Sequence, residues 1–481
     1  MALLPVTSAP ARSGLGPLLA WTYAALVVVV FGYFLVDLPV QVTDSYGNLV
    51  QVASEPSLTA LVSKQFHAQS YLRPLLWANI RVVLDLSQGH YFEWFRGWHV
   101  AQIALLVVLF VRLLRPATIA GAAVVPLGLA ALVGMHTFDG TVREAFPINT
   151  FLTIVLCCFL AADLALGEPR RWKDVAAAVL LAFAALSVES GLLVAVVIVT
   201  AFAAGARGVS RGGAAAQVLL VAGYMALRFV VLNVGSPDLN ERSSGFGFSY
   251  RSPEELIALF GGHPLPFYLY NAGASLLSVL LSEPRGGIWL VTRSVIEGPV
   301  AIGGLVNVTA SLLGTAVIVA FAWRRRRAWR AGDLARDDRI VIVFIAVAIA
   351  NAAISYAYTK DVILSPAGAC YALALAVAAR CLLGPGPDGR TVGPRAMALT
   401  LVLLSASWTF RAVGAHVGLR HAAIVERNEW AYVDPWLERE GLVPATPVAR
   451  ALKEQLQDDA VRRHPARPAL AGRWTEWFAG E

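Results

Sequence analysis

The chain has 481 residues, of which 57% are hydrophobic and only 15% charged. Soluble domains carry nearer ~25% charged residues, so the composition excludes a soluble globular domain. The net charge of +7 sits in short Arg-rich loops and not on a basic face with interleaved aromatics, which argues against a nucleic-acid partner.

The apolar residues come in long, nearly uncharged blocks, among them Ala24 to Val30, Ala101 to Val111, Ile119 to Val133 and Ile340 to Ala350. Hydrocarbon offers no hydrogen-bond partner, so such blocks cross a bilayer as helices. The alternating strands of about ten residues that mark a membrane barrel are not seen in the sequence.

The first predicted span covers 17–38. Arg12 precedes it, the run is longer than a signal h-region and no clean small-residue cleavage site follows, so it reads as an uncleaved span. Residues 39–91 are too polar to span and form a first external segment. Within it 57–67 and 74–86 read as amphipathic helices, with Ser57 as a cap and Pro74 in the opening position. Leu75, Leu76, Ile80, Val83 and Leu84 fall roughly on one face, which suits a helix lying on the membrane surface.

Spans at 92–114, 117–135, 146–166, 175–188, 190–206 and 214–234 follow in quick order. The clusters Arg112–Arg115, Arg170–Lys173 and Arg207–Arg211 fall in alternate loops, which places those loops and the N-terminus in the cytoplasm. Residues 235–299 form a second external segment, with 265–281 interfacial or re-entrant, because a span there would send Arg324–Arg327 to the wrong side. The last spans are 300–323, 340–358, 362–383 and 396–413, with 384–394 as a cytoplasmic turn. The expectation is an all-α polytopic membrane helix bundle of about 11 transmembrane helices. Residues 1–414 form its membrane domain and 415–481 a small extramembrane tail on the side of the first loop. In that tail 448–456 looks helical, and Trp474, Trp477 and Phe478 suit an interface. The four cysteines, Cys157, Cys158, Cys370 and Cys381, lack metal-ligand spacing and read as small apolar filler.

Ionisable residues at membrane depth are costly and mark function. The candidates gather at the external ends of the spans: Asp44, Asp139, Glu144, Glu189, Lys360 and Asp361, with Arg73 in the first loop and Arg228 late in the seventh span. Each also has an ordinary reading as a loop charge, a helix cap or a snorkelling side chain. His67, His136 and His263 show no metal-ligand spacing.

The order of these features resembles the GT-C glycosyltransferases, multi-spanning enzymes that take sugars from polyprenyl-phosphate donors, the mannosyltransferases among them. The resemblance rests on Tyr71-Leu72-Arg73-Pro74-Leu75 in the first outer loop, followed by His99 in the second span. It continues with Asp139 to Pro147, which contains Glu144, and with the Leu186-Ser187-Val188-Glu189-Ser190 corner. Tyr358-Thr359-Lys360-Asp361 followed by Leu364-Ser365-Pro366 completes it. Two departures stand out: Ser45 follows Asp44 where many members carry a second acid, and Val188 stands where the corner motif has Lys.

The resemblance implies sugar transfer to a lipid, glycan or protein acceptor on the external face of a bacterial inner membrane, at the surface of the lipid bilayer. It implies a catalytic carboxylate at Asp44, with Glu144 and Asp139 as the other acids, because a sugar hydroxyl needs a base to take its proton. Arg73, Lys360 and Arg228 are the implied donor-phosphate-binding cations, Arg being suited to a bidentate phosphate contact. Glu189 and Tyr71 would support them. A divalent cation, Mg or Mn, is left open, with Asp44 its ligand if there is one. Two other readings fit the same residues: a transporter or flippase for an envelope lipid or polysaccharide, and an inactive GT-C-like scaffold. The long first outer loop and the lack of internal repeats argue against the transporter.

Overall fold

The computed structural model describes residues 14–36, 38–67, 71–138, 150–233, 243–246, 251–284, 287–298, 302–383 and 394–463. The protein is an all-α polytopic membrane helix bundle. Among the described residues the only extended pairings are two isolated bridges, Ser243 with Arg251 and Ser244 with Tyr358.

Each predicted span is occupied by helix, but not every one is long enough to cross alone. Among the described residues six helical stretches have the length and apolarity to span: Leu15–Val36, Tyr91–Leu114, Arg211–Val231, Ile302–Arg330, Asp361–Leu383 and Ala398–Ala431. Ile119–Gly134, Phe151–Leu166 and Glu189–Ala203 are apolar but shorter. Trp172–Ala185 has 14 residues, and Arg336–Ile354 opens on the charged Arg336, Asp337 and Asp338. The chain bends by 88° between Glu254–Phe260 and Leu265–Leu281, and together these would make a seventh span or a re-entrant loop. The polar partners described for Leu265–Leu281 are Ser244, Phe246, Tyr356, Thr359, His136 and Thr315, none of them at the Arg-rich end of the bundle.

The main core is the interior of the bundle. At its centre runs Ser365–Leu383, almost wholly buried and rich in Ala, Gly and Cys. Small side chains let neighbouring helices approach closely, which is how helices pack where lipid and protein are equally apolar. A Cβ added at Gly134 would stand 2.9 Å from the Trp408 carbonyl oxygen, so the Val125–Gly134 and Pro394–Ala431 helices meet backbone to backbone. Outward faces carry exposed Leu18, Val29, Tyr33, Leu219, Val319 and Val402, as a lipid-facing surface requires.

The two ends of the bundle differ chemically. At one end basic side chains donate to the last carbonyls of helices, where partial negative charge collects. Arg336 Nη1 reaches Leu113 O at 2.5 Å, Arg339 Nε reaches Ala204 O at 3.0 Å and Lys173 Nζ reaches Leu164 O at 3.1 Å, and Arg380 bonds Leu114 O. The opposite, far end carries the first polar segment, the Glu189 corner and the Lys360–Asp361 turn.

At the far end the first polar segment folds as Gly47–Ser54, Leu58–Gln65 and Pro74–Ser87. Ser57 caps the second helix, its Oγ accepting from Ala60 N at 3.1 Å, and Pro74 opens the third. The apolar face of Pro74–Ser87 does not lie on a membrane surface. Its Leu76, Ile80, Val83 and Leu84 join a second hydrophobic cluster with Tyr46, Leu49, Trp430, Trp436, Leu452 and Leu456. The physical reason is that Gly47–Ser54, Leu58–Gln65 and Tyr91–Leu114 pack on this helix, and the tail helix Pro447–Arg463 packs in turn on the first and last of these. The tail is therefore not separate from the first segment. The expected boundary at 414/415 falls inside the Pro394–Ala431 helix, and Val433–Glu440 and Pro447–Arg463 continue it. Trp474, Trp477 and Phe478 lie outside the described residues.

Candidate functional site

Among the described residues, several of the side chains singled out in the sequence fall in two polar clusters toward the far end. The first is built where the first polar segment meets the corner at 187–191. Leu75 N donates to Leu186 O at 3.1 Å, which ties the Pro74–Ser87 helix to that corner. Arg73, in the cap position before Pro74, is thereby aimed at Glu189. Its Nε and Nη2 both donate to Glu189 Oε2, at 3.2 and 2.7 Å. Its guanidinium also lies 4.2 Å from the centroid of the Tyr71 ring.

Glu189 begins a 3₁₀ turn, Glu189–Leu192. Gly191 is what allows that turn to pack, because a Cβ there would overlap the Ala184 carbonyl. From the other side Arg228, on the π-helical stretch Ala226–Val231, donates through Nη1 to Glu189 Oε1 at 3.0 Å and to the Tyr224 hydroxyl at 3.2 Å. Helices interrupted by a π turn are frequent at functional sites.

Two guanidiniums thus share one carboxylate, and the cluster keeps a net positive charge. It is neither dry nor fully open: the Arg73, Glu189 and Arg228 side chains are 28%, 20% and 9% exposed. Burial alone would lower the affinity of Arg73 for its proton, but the Glu189 charge and hydrogen bonds outweigh it and hold the guanidinium above its ordinary value. Arg73 Nη1 takes no hydrogen-bond partner among the described residues. Such a cluster can hold a phosphate: it offers fixed, charged N–H donors that need no reorganisation when the anion arrives.

The second cluster holds Asp361. His136 Nε2 lies 2.8 Å from Ser278 Oγ and 3.8 Å from Asp361 Oδ1. Next to it Ser275 Oγ and Thr359 Oγ1 are 2.9 Å apart, and Ser365 Oγ donates to Thr137 O at 2.6 Å. Lys360 stands between Thr359 and Asp361, in the cap position of the 3₁₀ turn Asp361–Leu364. No described hydrogen bond or ion pair joins Lys360 to Arg73, Glu189 or Arg228. The structure thus brings four of the expected residues together, Tyr71, Arg73, Glu189 and Arg228; Lys360 is next in sequence to the other group.

Asp44 lies on a π-helical turn, Val42–Tyr46, which the tail anchors. Val42 N donates to Glu429 Oε2 at 3.1 Å, and Trp430 Nε1 donates to Val40 O at 2.7 Å. The Asp44 side chain, and Asp139 and Glu144 entirely, lie outside what is described. Among the described residues no three His, Cys, Asp or Glu side chains form a metal-ligand group, so no step through a metal is derived. Tyr224 and His136 did not stand out as site residues in the sequence. The signal for Tyr224 is its i, i+4 spacing to Arg228 on a helix; His136 had none beyond its residue type. A small apolar void lined by Leu113, Cys158, Phe159, Val343, Cys370 and others shares no residue with either cluster.

No family model and no curated protein matches the sequence. Among solved structures the chain is similar to the archaeal oligosaccharyltransferase AglB from Archaeoglobus fulgidus, solved in complex with an inhibitory peptide and a dolichol-phosphate. The identity is 12% and the TM-score 0.37, with 90% of this chain and 59% of that chain covered. This chain therefore spans less than two thirds of that structure's length, and no residue role is transferred from it.

Proposed function

We propose that the protein is a membrane-embedded glycosyltransferase of the GT-C type. It moves a sugar from a polyprenyl-phosphate donor to an envelope lipid, glycan or protein acceptor on the external face of a bacterial inner membrane. The observation that carries this reading is the convergence of Arg73 and Arg228 on Glu189, at the end of the bundle opposite the basic loops. A lipid phosphate leaving a sugar gathers negative charge, and fixed guanidiniums stabilise that charge as it develops. Glu189 acts as a positioning residue, holding the two cations in place and keeping them from repelling each other apart. A carboxylate takes the acceptor hydroxyl proton; Asp44 is assigned that role, with Asp139 and Glu144 as the other candidate acids. Tyr71 fixes the Arg73 plane from its open side.

The test is transfer by purified protein in nanodiscs from a panel of polyprenyl-phosphate sugars. The wild type transfers at least one sugar. Arg73→Gln lowers kcat/KM by about 100-fold or more, the cost typical of removing one charge-stabilising donor. Asp44→Asn abolishes transfer while leaving donor binding intact. Normal transfer by well-folded Asp44→Asn removes Asp44 from the base role. Ion-coupled uptake into vesicles with no transfer from any donor overturns the enzyme reading in favour of a transporter.

A further inference from the structure

A buried cation stands apart from both clusters. Arg411, on the Pro394–Ala431 helix, is 6% exposed. Its Nη1 donates to Ser311 Oγ at 2.8 Å and to Asn307 O at 3.3 Å, and its Nη2 donates to Ser282 Oγ at 3.3 Å. The guanidinium lies 4.4 Å from the centroid of the Trp408 ring. All of these partners are neutral. Among the described residues no carboxylate pairs with Arg411, and its Nε is buried without an acceptor. Arginine does not shed its proton in proteins, so this is a full positive charge with hydrogen bonds but no counter-charge. A charged side chain at membrane depth costs about 2.5–3.5 kcal/mol even on insertion scales and marks a functional site by default.

Its depth identifies the missing anion. Arg411 lies seventeen residues beyond Pro394, about 26 Å along the helix. Its partner Ser311 lies fourteen residues before Arg325, about 21 Å from the basic end. A hydrocarbon core is about 30 Å thick, so Arg411 lies in the far half of the bilayer, about 4–9 Å short of the far edge of the hydrocarbon. The adjacent Phe410 and Val413 are exposed, so the Pro394–Ala431 helix borders lipid at this level. Ser282 and Ser311 have hydroxyls 2.7 Å apart, so one donates to the other and the second O–H is left to donate to the same anion.

We propose that Arg411, with Ser282 and Ser311, binds the phosphate group of a far-leaflet lipid. The source is either a bilayer phospholipid or an isoprenoid phosphate. The site is independent of the Arg73–Glu189–Arg228 cluster, so its failure leaves the enzyme reading untouched.

The experiment is native mass spectrometry of delipidated full-length protein titrated separately with phosphatidylglycerol, undecaprenyl phosphate and uncharged diacylglycerol. The wild type retains one phosphate lipid per chain at least 10-fold more strongly than diacylglycerol. Arg411→Gln loses that preference and Arg411→Lys keeps part of it. Retention of phosphatidylglycerol that is lost in Arg411→Gln assigns the site to bilayer lipid, and retention of undecaprenyl phosphate alone, likewise lost in Arg411→Gln, assigns it to the isoprenoid. Should Arg411→Gln not fold, the wild-type preference for phosphate lipids over diacylglycerol and its weakening in Arg411→Lys decide the matter. Equal retention of all three lipids by the wild type, or an unchanged preference in a folded Arg411→Gln protein, overturns the proposal.

Discussion

At the scale of single residues, charge in this protein is placed where a partner waits for it. Asp338 is the best-satisfied example. It is buried, two residues before a predicted span, and accepts from Arg325 Nε and Nη2 at 2.9 and 2.7 Å, Trp329 Nε1 at 2.8 Å and Ala335 N at 2.8 Å. Burial would raise its proton affinity, but these hydrogen bonds and the Arg325 charge outweigh it and hold the carboxyl below the usual carboxylate range. A depressed folded value contributes stability above the unfolded value, about 4, and that stability is lost as pH falls through the folded value. Asp338→Asn is expected to cost about 3 kcal/mol at neutral pH, because it leaves the Arg325 guanidinium without its counter-charge. Thermal melts in detergent from pH 3 to pH 8 check this: the variant's acid limb should be flatter than the wild type's. Glu189 belongs to the same class at the candidate site, and Arg411 is the exception whose partner the chain does not supply.

At the scale of elements, two glycines separate packing from propensity. Gly191 sits where a Cβ would overlap backbone atoms of Ala184, which cannot swing away as a side-chain end can. Gly191→Ala is expected to push the Glu189–Leu192 turn off its neighbour, lower the melting temperature and weaken the Arg73–Glu189 contact. Gly223, inside Arg211–Met225, has nothing within 4 Å of an added Cβ. Gly223→Ala is expected to be neutral or to stabilise by about 0.5–1 kcal/mol, the helix-propensity difference between the two residues. Melting both variants side by side tests the contrast, and equal effects would refute it. The Ser57 cap and the opening Pro74 were legible at this scale because their chemistry acts within three or four residues of chain. The cluster that the Pro74–Ser87 face joins was not, since it is completed by Trp430 and tail residues more than 340 positions away.

At the scale of the whole molecule, the first polar segment and the tail make one far-end unit, held by Trp430, Trp436, Leu452 and Leu456 against Tyr46, Leu49 and Ile80. Trp436→Ala is expected to cost this unit about 3–5 kcal/mol, as large-to-small changes in a core do. Limited trypsin digestion should then cut earlier at Lys64 than in the wild type, with the bundle itself intact. The unit also fixes relative sidedness. Cysteines introduced at Ser63 and Asp458 should label from the same face of sealed vesicles, and one at Ala331 only from the other. Labelling of Ser63 and Asp458 from opposite faces would contradict the shared cluster.

The sequence by itself determined that this is a membrane helix bundle, because a bilayer forces every spanning backbone to satisfy itself locally and so writes each span as one apolar run. It also determined the chemical difference between the two ends, since Arg clusters recur in alternate loops. Arg73, Glu189, Arg228 and Lys360 were each legible as charges near apolar segments. Only the tertiary structure decided that the first three converge and that His136 comes near Asp361, the neighbour of Lys360. Arg73 and Glu189 are 116 positions apart, and Glu189 and Arg228 are 39 apart. Pairings at such separations depend on how helices pack, and residue pattern carries no record of that. The same reason hid Arg411. In sequence it is one cation near the end of an apolar run, and only its burial among Ser282, Ser311 and Trp408 shows a charge without its counter-charge.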